Sequence, residues 1–215
     1  MNLQTNALII GAVLGDAHIQ KTQSNTGKCR LRIAHGPDQE EYLNSKYQQL
    51  EAFCPSGPKY DQHNKTFHFY THYCLEMKKY HDLFYKPILT KNGQKYQKTI
   101  KLQLKEALTD PFSLAIWYCD DGSKRTNADA CRIATHGYSL EEIQILQWIL
   151  KENFNIASHV VKAGKSPKKK HQWYVLSFAA RDGGFLKLRE LIKPYVCAQF
   201  PQMAYKLKLL RPRND

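Results

Sequence analysis

Two apolar stretches of the chain end on carboxylates: "LIIGAVLGDAHI" (8–19) carries Asp16, and "LAIWYCDDGSK" (114–124) carries Asp120 and Asp121. A helix C-terminus already bears partial negative charge from the backbone dipole, so an acid there is unfavourable unless something positive meets it. Two such carboxylates brought together cost more still, and a cation between them removes the cost. Hard divalent cations such as Mg²⁺ take oxygen ligands, which Asp16 and Asp121 supply, with the carbonyls near Gly15 and Asp120 as further donors. A metal so held and facing a phosphate suits phosphodiester hydrolysis, because it activates and orients water and stabilises the leaving oxygen. Lys98 in "KTIKL" (98–102) and Lys206 in "KLKLL" (206–210) could polarise water or stabilise transition-state charge, with phosphate contact as the competing role.

Such a site needs two elements that deliver the acids to one place. Asp16 and Asp121 stand 105 residues apart, and other landmarks recur at nearly the same offset. "RIAHG" (32–36) matches "RIATHG" (132–137), "YKPI" (85–88) matches "IKPY" (192–195), and KTIKL and KLKLL follow those last motifs. The chain therefore reads as two halves of one fold, 1–100 and 101–215. Each half predicts an apolar helix (5–15; 111–120), two strands (17–22 and 28–35; 123–127 and 130–136) and an amphipathic helix (38–53; 139–154). Two more strands (58–62 and 66–72; 157–163 and 172–178) and a last helix (74–84; 180–192) complete it. The order αββαββα, run twice, is an α+β fold. Asp110 with Pro111 marks one helix start, and Ser139 with Glu142 forms a capping box at another. Gly11 and Gly15, one turn apart, would let the two apolar helices approach closely.

The 215 residues hold 32 Lys plus Arg against 19 Asp plus Glu, a net charge of +13. A domain this basic usually has a polyanionic partner, most often nucleic acid, the alternative being a solvated basic surface. In "KCRLRI" (28–33) alternation places Lys28, Arg30 and Arg32 on one face, beside His18, Gln20 and Thr22 of the preceding strand. "TFHFYTH" (66–72) adds His68, Tyr70 and His72, while Lys124, Arg125, Arg132 and Lys162 supply the second half. Such faces suit a DNA major groove, where they read base edges or grip phosphates; a merely solvated sheet face is the alternative. "SPKKKH" (166–171) reads as a hairpin loop whose lysines either touch phosphate non-specifically or merely face solvent. The six cysteines show no close-spaced pair, which argues against a zinc site and for reduced thiols. Neither a signal peptide nor a membrane span is evident, so an intracellular protein is expected.

The two stretches "IIGAVLGDA" (9–17) and "LAIWYCDDG" (114–122) resemble the paired LAGLIDADG motifs of single-chain homing endonucleases. The resemblance runs along the whole chain to "PQMAYKL" (201–207), which is similar to the intron-encoded type. It implies a pseudo-symmetric monomer whose antiparallel sheets form a saddle over double-stranded DNA. It further implies a long asymmetric target and a Mg²⁺-dependent double-strand break with short 3′ overhangs, initiating intron mobility. Mn²⁺ should substitute for Mg²⁺, and Ca²⁺ should bind without cleavage. Asp16 and Asp121 match the family's catalytic acids, and Lys98 and Lys206 its basic active-site residues. Two positions depart from symmetry: Ile116 stands where Gly11 does in the first motif, and Asp120 where Gly15 does. Some members are maturases that bind intron RNA, but retention of both acids and both lysines argues for cleavage. A DNA-binding regulator should show a helix-turn-helix or finger motif, and none is evident. The compartment implied is an organelle, chloroplast or mitochondrion, or else a bacterial cytoplasm.

Overall fold

The computed structural model describes residues 1–24, 26–91, 93–165 and 172–210. In chain order it runs α1 (Leu3–Leu14), β1 (His18–Lys21), β2 (Cys29–His35), α2 (Glu40–Leu50), β3 (Lys59–Asp61), β4 (Thr66–Tyr70) and α3 (Lys78–Phe84). A hairpin β5 (Tyr85–Thr90) and β6 (Gly93–Lys98) and a short α4 (Leu104–Ala107) lead to α5 (Pro111–Asp121). Then come β7 (Gly122–Lys124), β8 (Cys131–Ala134), α6 (Leu140–Phe154), β9 (His159–Lys165), β10 (Gln172–Phe178), α7 (Gly184–Gln199) and a 3-10 helix, Pro201–Leu207.

Helices α1 and α5 are apolar on nearly every side, and a helix without a polar face belongs in the interior. Residues Ala7–Leu14 of α1 and Phe112–Cys119 of α5 are buried. Asn2 caps the first by accepting from the Thr5 N–H at 2.8 Å, and Asp110 caps the second by accepting from the Phe112 N–H at 2.8 Å. The two pack directly on each other at glycines. A Cβ on Gly11 would lie 2.3 Å from the Ser113 carbonyl oxygen and 2.8 Å from Ile116 Cβ. One on Gly15 would lie 2.5 Å from Asp120 Oδ2. The two departures from symmetry are thus complementary: Ile116 and Asp120 of α5 fill the spaces that Gly11 and Gly15 leave on α1.

Two antiparallel four-stranded sheets share one strand order, β1-β2-β4-β3 and β7-β8-β10-β9. Their inner faces (Ile19, Leu31, Ile33 and Phe69; Ile133 and Leu176) belong to one continuous core with α1, α2, α5 and α6. The capping box at α6 is present, with the Ser139 N–H on Glu142 Oε2 at 2.8 Å and the Glu142 N–H on Ser139 Oγ at 3.3 Å.

The repeat is less regular than αββαββα twice. "YKPI" lies in β5, whereas its supposed match "IKPY" lies inside α7, which runs through Pro194 to Gln199. The first half spends residues 85–98 on a hairpin forming its own two-stranded sheet. Asn92-Gly93 is a hairpin signal in the sequence, and Gly93, paired with Thr90 at the start of β6, has a positive φ of 94° that suits glycine. The last helices shift accordingly, to Lys78–Phe84 and Gly184–Gln199. "SPKKKH" lies outside the described residues. Among the described residues no helix is long and apolar enough to cross a membrane.

Candidate active site and cationic sheets

The seam between α1 and α5 ends in a cluster of acids. Asp16 follows α1 with an exposed side chain, and its Oδ2 is 3.5 Å from His35 Nδ1 on β2. Burial of its surroundings and the charge of Asp120 raise the Asp16 carboxyl above its ordinary range. Asp121 closes α5, and among the described residues no hydrogen bond engages its carboxylate. Burial first, then the charges of Asp16 and Asp120, push it to about 7.

Asp120 is held differently. Its side chain is wholly buried and accepts from Tyr42 Oη at 2.8 Å, Lys46 Nζ at 2.5 Å and the Asp16 backbone N–H at 3.3 Å. Lys46 Nζ also lies 3.1 Å from His35 Nε2. An ammonium only donates, so His35 Nε2 accepts and a neutral ring carries its proton on Nδ1, toward Asp16. Burial, reinforced by the Lys46 charge, lowers the His35 pKa to about 3 and keeps the ring neutral. Asp16, His35 and Asp120 each offer one ligand atom, all within 4.8 Å of one another. Sequence reading found neither His35, Tyr42 nor Lys46, because their spacing carries no local signature.

The two lysines occupy matching places by different routes. Lys98, ending β6, donates to the carbonyls of Gly15 at 3.0 Å and Ala17 at 3.1 Å. Lys206, in the C-terminal 3-10 helix, donates to the Cys119 carbonyl at 2.6 Å. Each ammonium meets the negative end of an apolar helix, which answers part of the electrostatic objection to acids there. Burial lowers the pKa of both below the usual lysine value.

The first sheet presents the expected polar face. His18 pairs with Arg32 and Gln20 with Arg30 across β1 and β2, and Arg32 pairs with Tyr70 on β4. Arg30 Nε donates to Gln20 Oε1 at 2.9 Å, and its guanidinium lies over Tyr70 (4.1 Å) and Tyr73 (4.7 Å). Arg32 Nε donates to Tyr70 Oη at 3.2 Å. His68 faces Ala34 and Lys59 in register. Thr22, Lys28 and His72 lie just beyond the strand ends.

The second sheet corrects two residues. Arg132 shares a row with Ser123 and Ser177, and exposed Arg125 follows β7. Lys124, however, pairs with Cys131, which places it on the core side of the sheet, 3.7 Å from Asp129. Lys162 pairs with Tyr174, on the face that holds Val160 and Leu176. Alternation alone puts both on the side away from Arg132. Residues missed from sequence include Tyr96 of the hairpin, whose hydroxyl accepts from Lys21 Nζ at 3.1 Å. His18, Gln20, Lys21, Tyr73 and Tyr96 line a cleft of about 860 Å³ between the hairpin and β1.

Two apolar helices packed at glycines, each ending in an acid and each met by a lysine, beneath two sheets of one strand order, define a two-motif LAGLIDADG architecture. The LAGLIDADG DNA endonuclease family model matches residues 6–184, and the chain belongs to that family. It is 28% identical over 205 residues to DNA endonuclease I-ChuI of Chlamydomonas applanata, covering 90% of each chain. It is 27% identical over 227 residues to cytochrome b mRNA maturase bI2 of Saccharomyces cerevisiae, covering 96% of this chain and 48% of the yeast protein. Its fold is similar to that of homing endonuclease I-WcaI bound to its DNA recognition sequence, with TM-score 0.77, 22% identity and coverage of 98% and 88%. It is also similar to I-DmoI in complex with DNA and Mn, with TM-score 0.53, 15% identity and coverage of 89% and 97%.

Proposed function

We propose that this protein is a site-specific endonuclease that makes a Mg²⁺-dependent double-strand break in a long, asymmetric DNA target and so initiates intron mobility. The observation that carries the reading is the convergence of Asp16 and Asp121 at the paired helix ends, with Lys98 and Lys206 behind them and Arg-bearing sheet faces on both sides. The donor set fits a hard dication: both acids are destabilised as they stand, and Asp121 lacks a hydrogen-bonding partner among the described residues. Asp16 and Asp121 would hold the metal, which supplies an activated water and stabilises the leaving oxygen. The protein's own part is to hold the acids in place through the α1–α5 seam, to brace the helix-end carbonyls with the two lysines and to orient the duplex on the sheets. Arg30 and Arg32 read or grip the first half-site, Arg125 and Arg132 the second. The protein acts as a monomer, with halves divided near residue 100, and is made in an organelle. The I-WcaI and I-DmoI complexes with DNA and the I-ChuI relative support the DNA partner.

The test is to incubate the protein with DNA spanning the joined exons that flank its gene, in Mg²⁺, Mn²⁺ or Ca²⁺. Cutting in the first two and binding alone in Ca²⁺ is expected, and D16N or D121N should abolish cutting while sparing binding. The bI2 likeness favours a second reading, an intron-RNA maturase; RNA binding with splicing activity and no DNA cleavage in any metal would establish that instead.

A further inference from the structure

The buried cluster behind Asp16 does work that the paired-acid scheme leaves unassigned. We propose that Lys46 is a positioning residue of the cleavage centre: its ammonium is a built-in counter-cation that keeps Asp120 out of metal coordination and, through Asp120, fixes Asp16. The inference rests on the nuclease reading for its catalytic consequence, though not for its structural one.

Asp16, His35 and Asp120 offer three ligand atoms within 4.8 Å, a grouping that would attract a transition-metal dication. Lys46 forestalls this, since its Nζ contacts both Asp120 Oδ1 (2.5 Å) and His35 Nε2 (3.1 Å), and all three side chains are almost completely buried. A buried charge without a partner is costly, so Lys46 and Asp120 compel each other's placement. The carboxylate is held at both oxygens: Oδ1 takes Lys46 and Tyr42, while Oδ2 takes the Asp16 backbone N–H. Rotation of Asp120 would therefore break the contact that seats Asp16 at the end of α1.

The second half has no equivalent. Aligned on the paired acids, 105 residues apart, Gly15 stands for Asp120; aligned on the glycines of RIAHG and RIATHG, 101 apart, Gln147 stands for Lys46 and Ile143 for Tyr42. Gln147 Nε2 donates instead to the Ser158 carbonyl, and no such brace reaches Asp121 among the described residues. The lock is also an inter-half contact, joining β2 and α2 to α5.

The experiment compares wild type, K46M and K46M/D120N in two assays. The first counts Mn²⁺ bound to the DNA-free protein by electron paramagnetic resonance; the second measures Mg²⁺-dependent cleavage, with DNA affinity in Ca²⁺ as control. K46M is expected to bind one more Mn²⁺ than wild type, because Asp120 and His35 become free to ligate. It should cut about 100-fold more slowly with unchanged DNA affinity, the loss typical of a misplaced catalytic group. K46M/D120N removes both charges yet keeps an amide oxygen for the Asp16 N–H. It should return the Mn²⁺ count to that of wild type and recover most of the lost cleavage. Thermal melting monitors folding, and the double variant decides should K46M alone fail to fold. A folded, DNA-bound K46M/D120N as inactive as D16N would overturn the proposal, because neutralising Asp120 would then not replace Lys46; so would a K46M protein with wild-type Mn²⁺ count and cleavage. If wild-type protein cuts no DNA in Mg²⁺ the nuclease reading fails by itself, and the Mn²⁺ counts still decide what Lys46 does.

Discussion

The Asp121 carboxyl, at about 7, makes the site a proton-coupled one. An unfolded chain releases that proton near 3.9, so between these values the folded protein binds a proton the unfolded one has lost. The stabilising contribution is complete below the lower value and disappears as pH rises through 7. Asp16 is raised too and acts in the same direction. Metal-free protein should therefore lose melting temperature between pH 5 and pH 8, and D121N should flatten that slope; calorimetric scans at each pH check this, and a wild-type slope kept in D121N would contradict it. A metal takes only the deprotonated carboxylate, so its affinity rises with pH. Below 7 the increase should approach about tenfold per pH unit, levelling above it, as Mn²⁺ titrations would show. Asp16 and Asp121 were legible from sequence because each ends an apolar run. Asp120's partners were not, since Lys46 lies 74 residues away and only the packed seam brings it near.

At the scale of elements, the molecule turns on how closely α1 and α5 approach. Gly11 has no room for a side chain, since its Cβ would meet the Ser113 carbonyl, which is backbone and cannot swing aside. G11A should therefore cost about 1–3 kcal/mol of stability through overpacking. Urea unfolding measures it, and a variant as stable as wild type would refute the tight seam. Ser139→Ala removes the capping box of α6 and should cost about 1 kcal/mol in the same assay, leaving the acids where they are. These features are local or periodic, and for that reason the Asp110 and Ser139 caps, the glycine spacing and the alternation of the first sheet could be read from the residues, whereas Lys124 and Lys162 of the second sheet were assigned to the wrong face. The β5–β6 hairpin was equally visible at Asn92-Gly93, but the likeness of YKPI to IKPY masked it. Four shared letters specify no backbone: in β5 they extend, and in α7 the packing of Leu188, Ile192 and Val196 carries the helix past Pro194.

Across the whole molecule, which carries a net charge of +13, the arginines of the two sheets divide by what already holds them. Arg30 is tied to Gln20 and stacked on Tyr70 and Tyr73, so its guanidinium is oriented before any partner arrives. Such preorganisation suits base reading, where direction matters more than charge. Arg125 is exposed beyond β7 and suits a phosphate, which needs only a nearby cation. The two roles separate by salt dependence, because each neutralised phosphate releases counterions and a base contact releases none. R125A should weaken binding to target and random duplex alike, and lower the slope of log affinity against log salt by about 1. R30A should leave that slope nearly unchanged, cost about 1–3 kcal/mol on the target, and relax preference within one half-site. Fluorescence anisotropy in Ca²⁺, across several salt concentrations and with single-base target variants, measures both. Equal slopes and equal loss of specificity in the two variants would mean that the stacked arginine grips the backbone, and that the first sheet steers the duplex without reading it.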